Sequence, residues 1–328
     1  MRSNSSTPNK MERIPVTIIT GFLGSGKTTL LNHILQQNKG KRIAIIENEF
    51  GDLNIDKSLI ESEEDGIYEL SNGCICCSLN SEMIVVLSKL IDRPEPPEYL
   101  IIETTGLADP TSVILSFITD VVVQSAFELD GVITLADAGL LTKQLKEHPE
   151  ASKQLALADI VVLNKIDNIE ESEVQNLLIE ILQLNPNVET RVALNAKVEE
   201  SLLYRRAFRA DRVQENIDKA PRYFMGHLNE TSSLSISLDK PFDFLLFNNW
   251  MNYQLNGSCG ELYRCKGVLW VEHFDQKIIF QGVCDQFMTQ MGSVWKDSEE
   301  KKSNLVFIGK NLQKKLIQLG LEQCLITT

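Results

Sequence analysis

The chain has 328 residues, 43% of them hydrophobic and 23% charged, which excludes a disordered, collagenous or disulfide-stapled polypeptide and leaves room for two folded units. With 32 Lys and Arg against 45 Asp and Glu the formal net charge is −13, a sign that repels nucleic-acid phosphates and anionic membrane surfaces, so neither is an expected partner. The seven cysteines are odd in number, and three fall within four residues (Cys74, Cys76, Cys77), the pattern of thiols kept reduced for metal or redox chemistry.

Residues 1–13 begin with a polar run that lacks the apolar core of a signal peptide and are expected to be a disordered extension on a cytoplasmic protein. No stretch reaches the ~18 uncharged apolar residues of a membrane-spanning helix. From 14 to 200 short apolar runs alternate with helical patterns. Strands are expected at Val16–Ile19, Arg42–Ile46, Ile67–Leu70, Tyr99–Ile102, Val132–Leu135, Ile160–Leu163 and Val188–Ala193, and helices at Thr28–Gln37, Glu82–Leu90 and Glu171–Leu184. Continuous rather than alternating hydrophobicity fits strands buried on both faces, so the fold class is α/β, a doubly wound, mostly parallel sheet. Residues 201–233 read as a linker with some helix. After it, a smaller α+β domain at 234–328 is expected in the order β-α-β-β-β-α: Leu234–Leu238, a helix opening at Pro241, Leu262–Glu272, Lys277–Val283, Leu305–Ile308 and a closing helix at Asn311–Leu319.

Between the first strand and the first helix lies Gly21-Phe-Leu-Gly24-Ser25-Gly26-Lys27-Thr28-Thr29, a P-loop in the context that motif requires. Its glycines permit the turn and its successive backbone N–H groups face phosphates. Lys27 adds a point charge, and the Thr28 hydroxyl completes a Mg2+ shell. Glu103, ending an apolar strand before Thr-Thr-Gly106, is the expected carboxylate that holds Mg2+ through water. Asn164-Lys165-Ile-Asp167 follows another strand. A carboxylate at Asp167 can accept from the ring N–H and exocyclic amino group of guanine, a pair adenine does not offer, which favours GTP over ATP. Lys165 can cover the base plane, Asn164 can tie loops together, and Asn195, after the next strand, can present backbone N–H groups to the guanine carbonyl.

Three sulfurs at Cys74, Cys76 and Cys77 can converge on one thiophilic cation, Zn2+ being the commonest match; buried structural thiols or a redox pair are the other readings. A closed zinc site needs four ligands, so the last must come from elsewhere, from water or from a receiving protein. Glu47, Asp52 and His33 are candidates. The segment Glu47-Asn-Glu-Phe-Gly-Asp52 stands where a triphosphatase keeps its first switch, between P-loop and thiols. The remaining thiols, Cys259, Cys265, Cys284 and Cys324, read as structural, and Trp250, Trp270 and Trp295 as C-terminal core.

Taken together, G-F-L-G-S-G-K-T-T-L-L, E-N-E-F-G-D, N-G-C-I-C-C, E-T-T-G-L-A-D-P and N-K-I-D resemble the CobW-type metal-trafficking GTPases, the zinc chaperones, and within them the YjiA-like branch. The stretches Tyr263–Trp270, Gln281–Val283, Trp295 and Leu305–Gly309 are similar to that family's C-terminal domain. The resemblance implies GTP hydrolysis by Lys27, Thr28 and Glu103, coupled to delivery of Zn2+ to an apo client metalloprotein. Co2+, Ni2+ or iron is carried in other branches, and the expected assembly is a monomer or a weak metal-dependent oligomer. Two readings stand beside it: a GTP-dependent zinc-sensing switch without metal transfer, and a P-loop kinase or ATPase with a structural metal. Many relatives carry a His-rich tract before the C-terminal domain where this chain has His227 alone, in what reads as polar linker. No glutamine stands where signalling GTPases orient the attacking water, so slow unaided turnover is expected.

Overall fold

The structure, a computed structural model, describes residues 13–47, 67–69, 79–198, 201–219, 225–228, 230–255 and 259–326. Asp52, Cys74, Cys76 and Cys77 lie outside them. The N-terminal domain runs β1 (Ile14–Gly21), α1 (Lys27–Gln37), β2 (Ile43–Glu47), β3 (Ile67–Glu69), α2 (Leu79–Ile91), β4 (Tyr99–Glu103), α3 (Thr111–Thr119), α4 (Val121–Ala126), β5 (Phe127–Asp137), α5 (Leu141–Glu147), α6 (Pro149–Leu157), β6 (Ile160–Asn164), α7 (Glu171–Leu184) and β7 (Glu189–Val192). The strands form one 7-stranded sheet in the order β3-β2-β4-β1-β5-β6-β7, with every pair parallel. This is the P-loop NTPase fold expected from the sequence.

Both faces of this sheet are covered, which explains the unbroken apolar runs. Val16 and Ile18 of β1 enter one apolar cluster with Leu100 and Val132, while Ile19 enters another with Leu30, Ile101 and Ile133. Each such side chain, fully removed from water, contributes roughly 1.5–3 kcal/mol. Helix α7 shows how local signals and packing agree. Val174, Leu177, Ile181 and Leu184 recur at helical spacing and are buried, and Glu170 with Glu173 closes a capping box at the N-terminus.

The C-terminal half departs from the expected order. Residues 201–233 are not a plain connector: they contain α8 (Ala210–Lys219) and β8 (Met225–Leu228), and β9 (Thr231–Leu238) begins before Leu234. His227 therefore lies in a strand, paired with Ser232 of β9. Next come α9 (Phe244–Asn249), a π-helical stretch Trp250–Leu255, β10 (Glu261–Leu269), β11 (Gln276–Val283), β12 (Gln286–Val294), β13 (Ser303–Lys310) and a closing helix, Lys314–Gln323. The strands make a 6-stranded antiparallel sheet, β12-β11-β10-β13-β9-β8. The sequence reading did not contain β8 or β12; β12 is an edge strand with mostly exposed or half-buried Gln, Met, Thr and Ser, so it offers no continuous apolar signal.

Alternation along β10 decides how the two domains meet. Beyond a bulge at Leu262/Arg264, Cys265 and Leu269 face the aromatic core under the closing helix, with Phe280, Phe307, Trp250 and Ile317. Arg264, Lys266 and Val268 take the opposite face, where Val268 joins Val213 and Ile217 of α8 and Leu155 and Leu163 of the N-terminal domain in one shared cluster. Within this interface Asp159, just before β6, accepts from Arg264 Nη2 at 2.6 Å and Lys266 Nζ at 2.7 Å through Oδ1, and from Val132 N at 3.0 Å through Oδ2. Arg264 also donates to Leu157 O at the end of α6. Burial pushes the Asp159 carboxyl up, yet Arg264 and Lys266 outweigh it and leave it below the usual carboxylate range. Burial, then Arg264 alongside, pushes Lys266 down to about 8 against the pull of Asp159.

Candidate nucleotide site

Parallel pairing brings the carboxyl ends of β1, β4, β5 and β6 to one edge, the place where doubly wound sheets bind nucleotides. The P-loop leaves β1 there. Lys27, buried in the first turn of α1, donates through Nζ to Gly21 O at 3.0 Å. Burial lowers its pKa and Glu103 raises it, the first effect being the larger. The Thr28 hydroxyl donates to Glu103 Oε1 at 3.3 Å, so the two oxygens expected to share a cation lie side by side. Thr29 is exposed beside Thr28, and Ser25 is fully buried behind the loop. Glu47, at the end of β2, stands in register with Glu103 across the β2–β4 pair.

Gly26 holds the turn in the left-handed region, at φ 104°, and a Cβ there would meet Asn164 Nδ2 at 2.7 Å. That close approach lets the Asn164 side chain work as a hub. Its Nδ2 donates to Ser25 O of the P-loop at 2.9 Å, and its Oδ1 accepts from Ala196 N at 2.8 Å. Asn164 is 2% exposed, so both bonds are shielded from water and hold the 194–197 loop against the phosphate loop. Asn195 and Ala196 sit at φ 52° and 55°, a tight turn with Asn195 exposed and Ala196 buried. Asp167 is exposed in a short 3-10 turn, Ile166–Asn168, and Lys165, at φ 61°, starts that turn.

On the phosphate side, the segment after Glu103 is tied to the P-loop and to α6. Thr104 Oγ1 donates to Thr20 Oγ1 at 2.9 Å, and Gly106 lies so close to the P-loop that a Cβ would meet Leu23 N at 2.5 Å. Gln154 of α6, 1% exposed, donates through Nε2 to Gly106 O and Ala108 O, both at 3.2 Å. Its neighbour Lys153 pairs with Asp109 at 2.7 Å, reaches Glu261 of β10 at 3.8 Å and lies over the Tyr263 ring. The Phe22 ring of the loop packs at a tilt against His148, centroids 4.8 Å apart, which gives His148 a packing role at the start of α6.

Gln154, Lys153 and Asp137 join the site from outside the sequence motifs. No motif marks them; Asp137, the last residue of β5, carries only the signal of a carboxylate at a strand end. Cys74, Cys76 and Cys77, the expected thiophilic ligands, fall outside the described residues with Asp52. His33, offered as a further ligand, has its Nε2 3.0 Å from Gln37 Nε2 and 3.4 Å from Val198 O. Among the described residues no group of three or more His, Cys, Asp or Glu could hold a metal ion. Cys259, Cys265 and Cys324 are buried in the C-terminal core and Cys284 is half-buried; burial pushes the Cys265 and Cys284 thiols up and Cys324 to about 11. Trp250 and Trp295 are buried and Trp270 packs against the shared core. No helix among the described residues is long and apolar enough to cross a membrane.

Comparison with known proteins bears on this geometry. Residues 15–191 match the family model "CobW/HypB/UreG, nucleotide-binding domain", and residues 231–325 match "Cobalamin synthesis protein cobW C-terminal domain". The zinc chaperone YjiA of Escherichia coli is 35% identical over 94% of this chain and 98% of its own. The zinc-regulated GTPase metalloprotein activator 1 of Saccharomyces cerevisiae is 29% identical over 94% of this chain and 83% of its own. Among solved structures, Zn(II)-bound YjiA GTPase from E. coli superposes with a TM-score of 0.77 at 30% identity, covering 96% of this chain and 99% of that one.

Proposed function

The chain belongs to the CobW/HypB/UreG family and is a P-loop GTPase, and from that premise we propose that it is a metallochaperone that couples GTP hydrolysis to the carriage of zinc. GTP binds with its phosphates in the Gly21–Thr29 loop and its guanine against Asn164, Lys165, Asp167 and the Asn195 turn. Zn2+ is the cargo, held by Cys74, Cys76 and Cys77 and passed to an apo client metalloprotein; Glu47 and Asp52, in the segment between P-loop and thiols, are the carboxylates that would complete its shell. The observation that carries the reading is the convergence at Asn164, whose one side chain joins the P-loop to the loop beside the base. The names of the relatives, zinc chaperones along almost the whole chain, support the cargo.

The Thr28 hydroxyl and Glu103 carboxylate are hard oxygen donors set at the mouth of the P-loop, a fit for magnesium, which these two residues would hold. When bound, Mg2+ supplies charge neutralisation across the β- and γ-phosphates. The chain's own residues do the rest. P-loop N–H groups aim fixed dipoles at the phosphate oxygens, and the desolvated Lys27 ammonium adds a charge that water screens little. Asp167 accepts from the two guanine N–H donors, and with ATP the carboxylate would face a base lacking that pair. Gln154 holds the Gly106–Ala108 carbonyls, and thereby the loop next to the γ-phosphate position, in one arrangement.

Metal analysis of the purified full chain with Cys74→Ala, Cys76→Ala and Cys77→Ala, run beside single-turnover GTP hydrolysis with and without zinc, tests the reading. Loss of about one zinc per chain in the thiol variants and a metal-dependent rate are expected. Identical rates at saturating metal would sink the coupling. Transfer of the bound zinc to an apo acceptor, faster with GTP than with a non-hydrolysable analogue, separates a chaperone from a zinc-sensing switch. Asp167→Ala should erase the preference for GTP over ATP, which a kinase or ATPase would not show.

A further inference from the structure

We propose that Asp137 is a positioning residue for base recognition: it tethers the Lys165 ammonium so that the lysine stem is held as an apolar plate over the guanine ring. The inference rests on the reading of Asn164–Asp167 as the guanine site. Asp137 is the last residue of β5, in register with Asn164 of β6, and Ala138 N donates to Asn164 O at 2.9 Å, so the two strand ends are locked together. Its carboxylate is 8% exposed, with Oδ2 2.8 Å from Lys165 Nζ and Oδ1 accepting from Gly139 N at 3.0 Å. Both oxygens are thus committed, one to the strand end and one to the lysine.

Lys165 itself is half-exposed and adopts φ 61°, a conformation that L residues enter against a steric penalty. A lysine so placed has a long flexible stem with many rotamers, and covering a base would require freezing most of them on binding. A partner at 2.8 Å removes that freedom beforehand. It also cancels the charge, so Lys165 does not act as a second phosphate cation beside Lys27. What remains is the four-carbon stem, which covers apolar surface well. A structural role for Asp137 alone would need only the bond to Gly139.

Titration of a fluorescent GDP and a fluorescent GTP into the full chain, with Asp137→Ala, Asp137→Asn, Lys165→Ala, Lys165→Met and the Asp137→Ala/Lys165→Ala pair, tests this. Asp137→Ala is expected to weaken GDP and GTP by the same factor, about tenfold or 1.4 kcal/mol, raising KM without lowering kcat. Asp137→Asn, which keeps an acceptor, should recover most of the loss. The double variant should bind no more weakly than Lys165→Ala. Lys165→Met keeps the stem and loses the tether, so it should lose the same factor of about ten as the tether contributes, a readout that does not depend on an Asp137 variant folding. Lys165→Met binding like the wild type, or additive losses in the double variant, overturns the tether. If Lys165→Ala leaves affinity unchanged, the base-cover reading itself fails, and the proposal with it.

Discussion

On the base side of the nucleotide edge, Asn164, Lys165, Asp137 and the 194–197 loop are joined to each other and to the P-loop by contacts that never leave the N-terminal domain. On the phosphate side, the loop after β4 is held by Gln154 and Lys153, and their helix α6 rests on the C-terminal sheet through Glu261, Tyr263 and Arg264. The proposed base side is therefore braced locally. The loop after β4, on the proposed phosphate side, is braced across the domain boundary.

The largest effect should come from the boundary itself. Asp159→Ala leaves Arg264 and Lys266 buried without their counter-ion, a loss of about 3–5 kcal/mol in chemical denaturation. A shift well under 1 kcal/mol would mean that the two domains are not held by this triad. The pH dependence has a definite sign. The folded carboxyl of Asp159 titrates below its unfolded value, so its contribution is complete above the ordinary carboxylate range and is lost as pH falls through the lowered one. Lys266 is pushed down to about 8, so between there and the ordinary lysine range the unfolded chain binds more protons and stability should rise with pH. Lys266→Met should flatten that rise.

Asn164→Ala comes next. It removes two buried hydrogen bonds, each worth roughly 1 kcal/mol, so GDP and GTP should weaken together by about tenfold or more in equilibrium titration. Gln154→Leu probes the opposite side at nearly constant volume. With the Gly106 and Ala108 carbonyls losing their donor, kcat should fall about five- to tenfold while GDP affinity holds. Parallel loss of GDP affinity would erase the distinction between the two sides. Lys153→Met should act least, since its partner Asp109 is half-exposed and such pairs contribute about 1 kcal/mol at most. A twofold to threefold loss of kcat that added salt also produces in the wild type is the expected signature.

Much of this was legible before any coordinates. The P-loop, Glu103 and Asn164–Asp167 are contiguous runs whose residue types state their chemistry, and α7 spans Glu171–Leu184 as read because period and capping box coincide. Strands buried on both faces announce themselves by apolar continuity; β12, an edge strand with Gln286, Gln290 and Ser293, does not. Strand β8 gives no signal either, because four residues with a Gly and a His carry no period. Gln154 and Asp137 stayed hidden for a different reason. Their partners, Gly106 and Lys165, are 48 and 28 positions away, and only the folding of α6 and β6 against the sheet edge brings them together.

The buried cysteines have a consequence for the odd thiol count. Three of the four thiols outside the Cys74–Cys77 cluster are walled into the C-terminal core, and burial favours the protonated form at Cys265 and Cys324. A protein proposed to carry a thiophilic ion would otherwise compete with itself for its cargo. In the native state these core thiols should be silent to an alkylating reagent and to a zinc titration, and should become reactive only in denaturant, so that a simple thiol count distinguishes the working sulfurs from the structural ones.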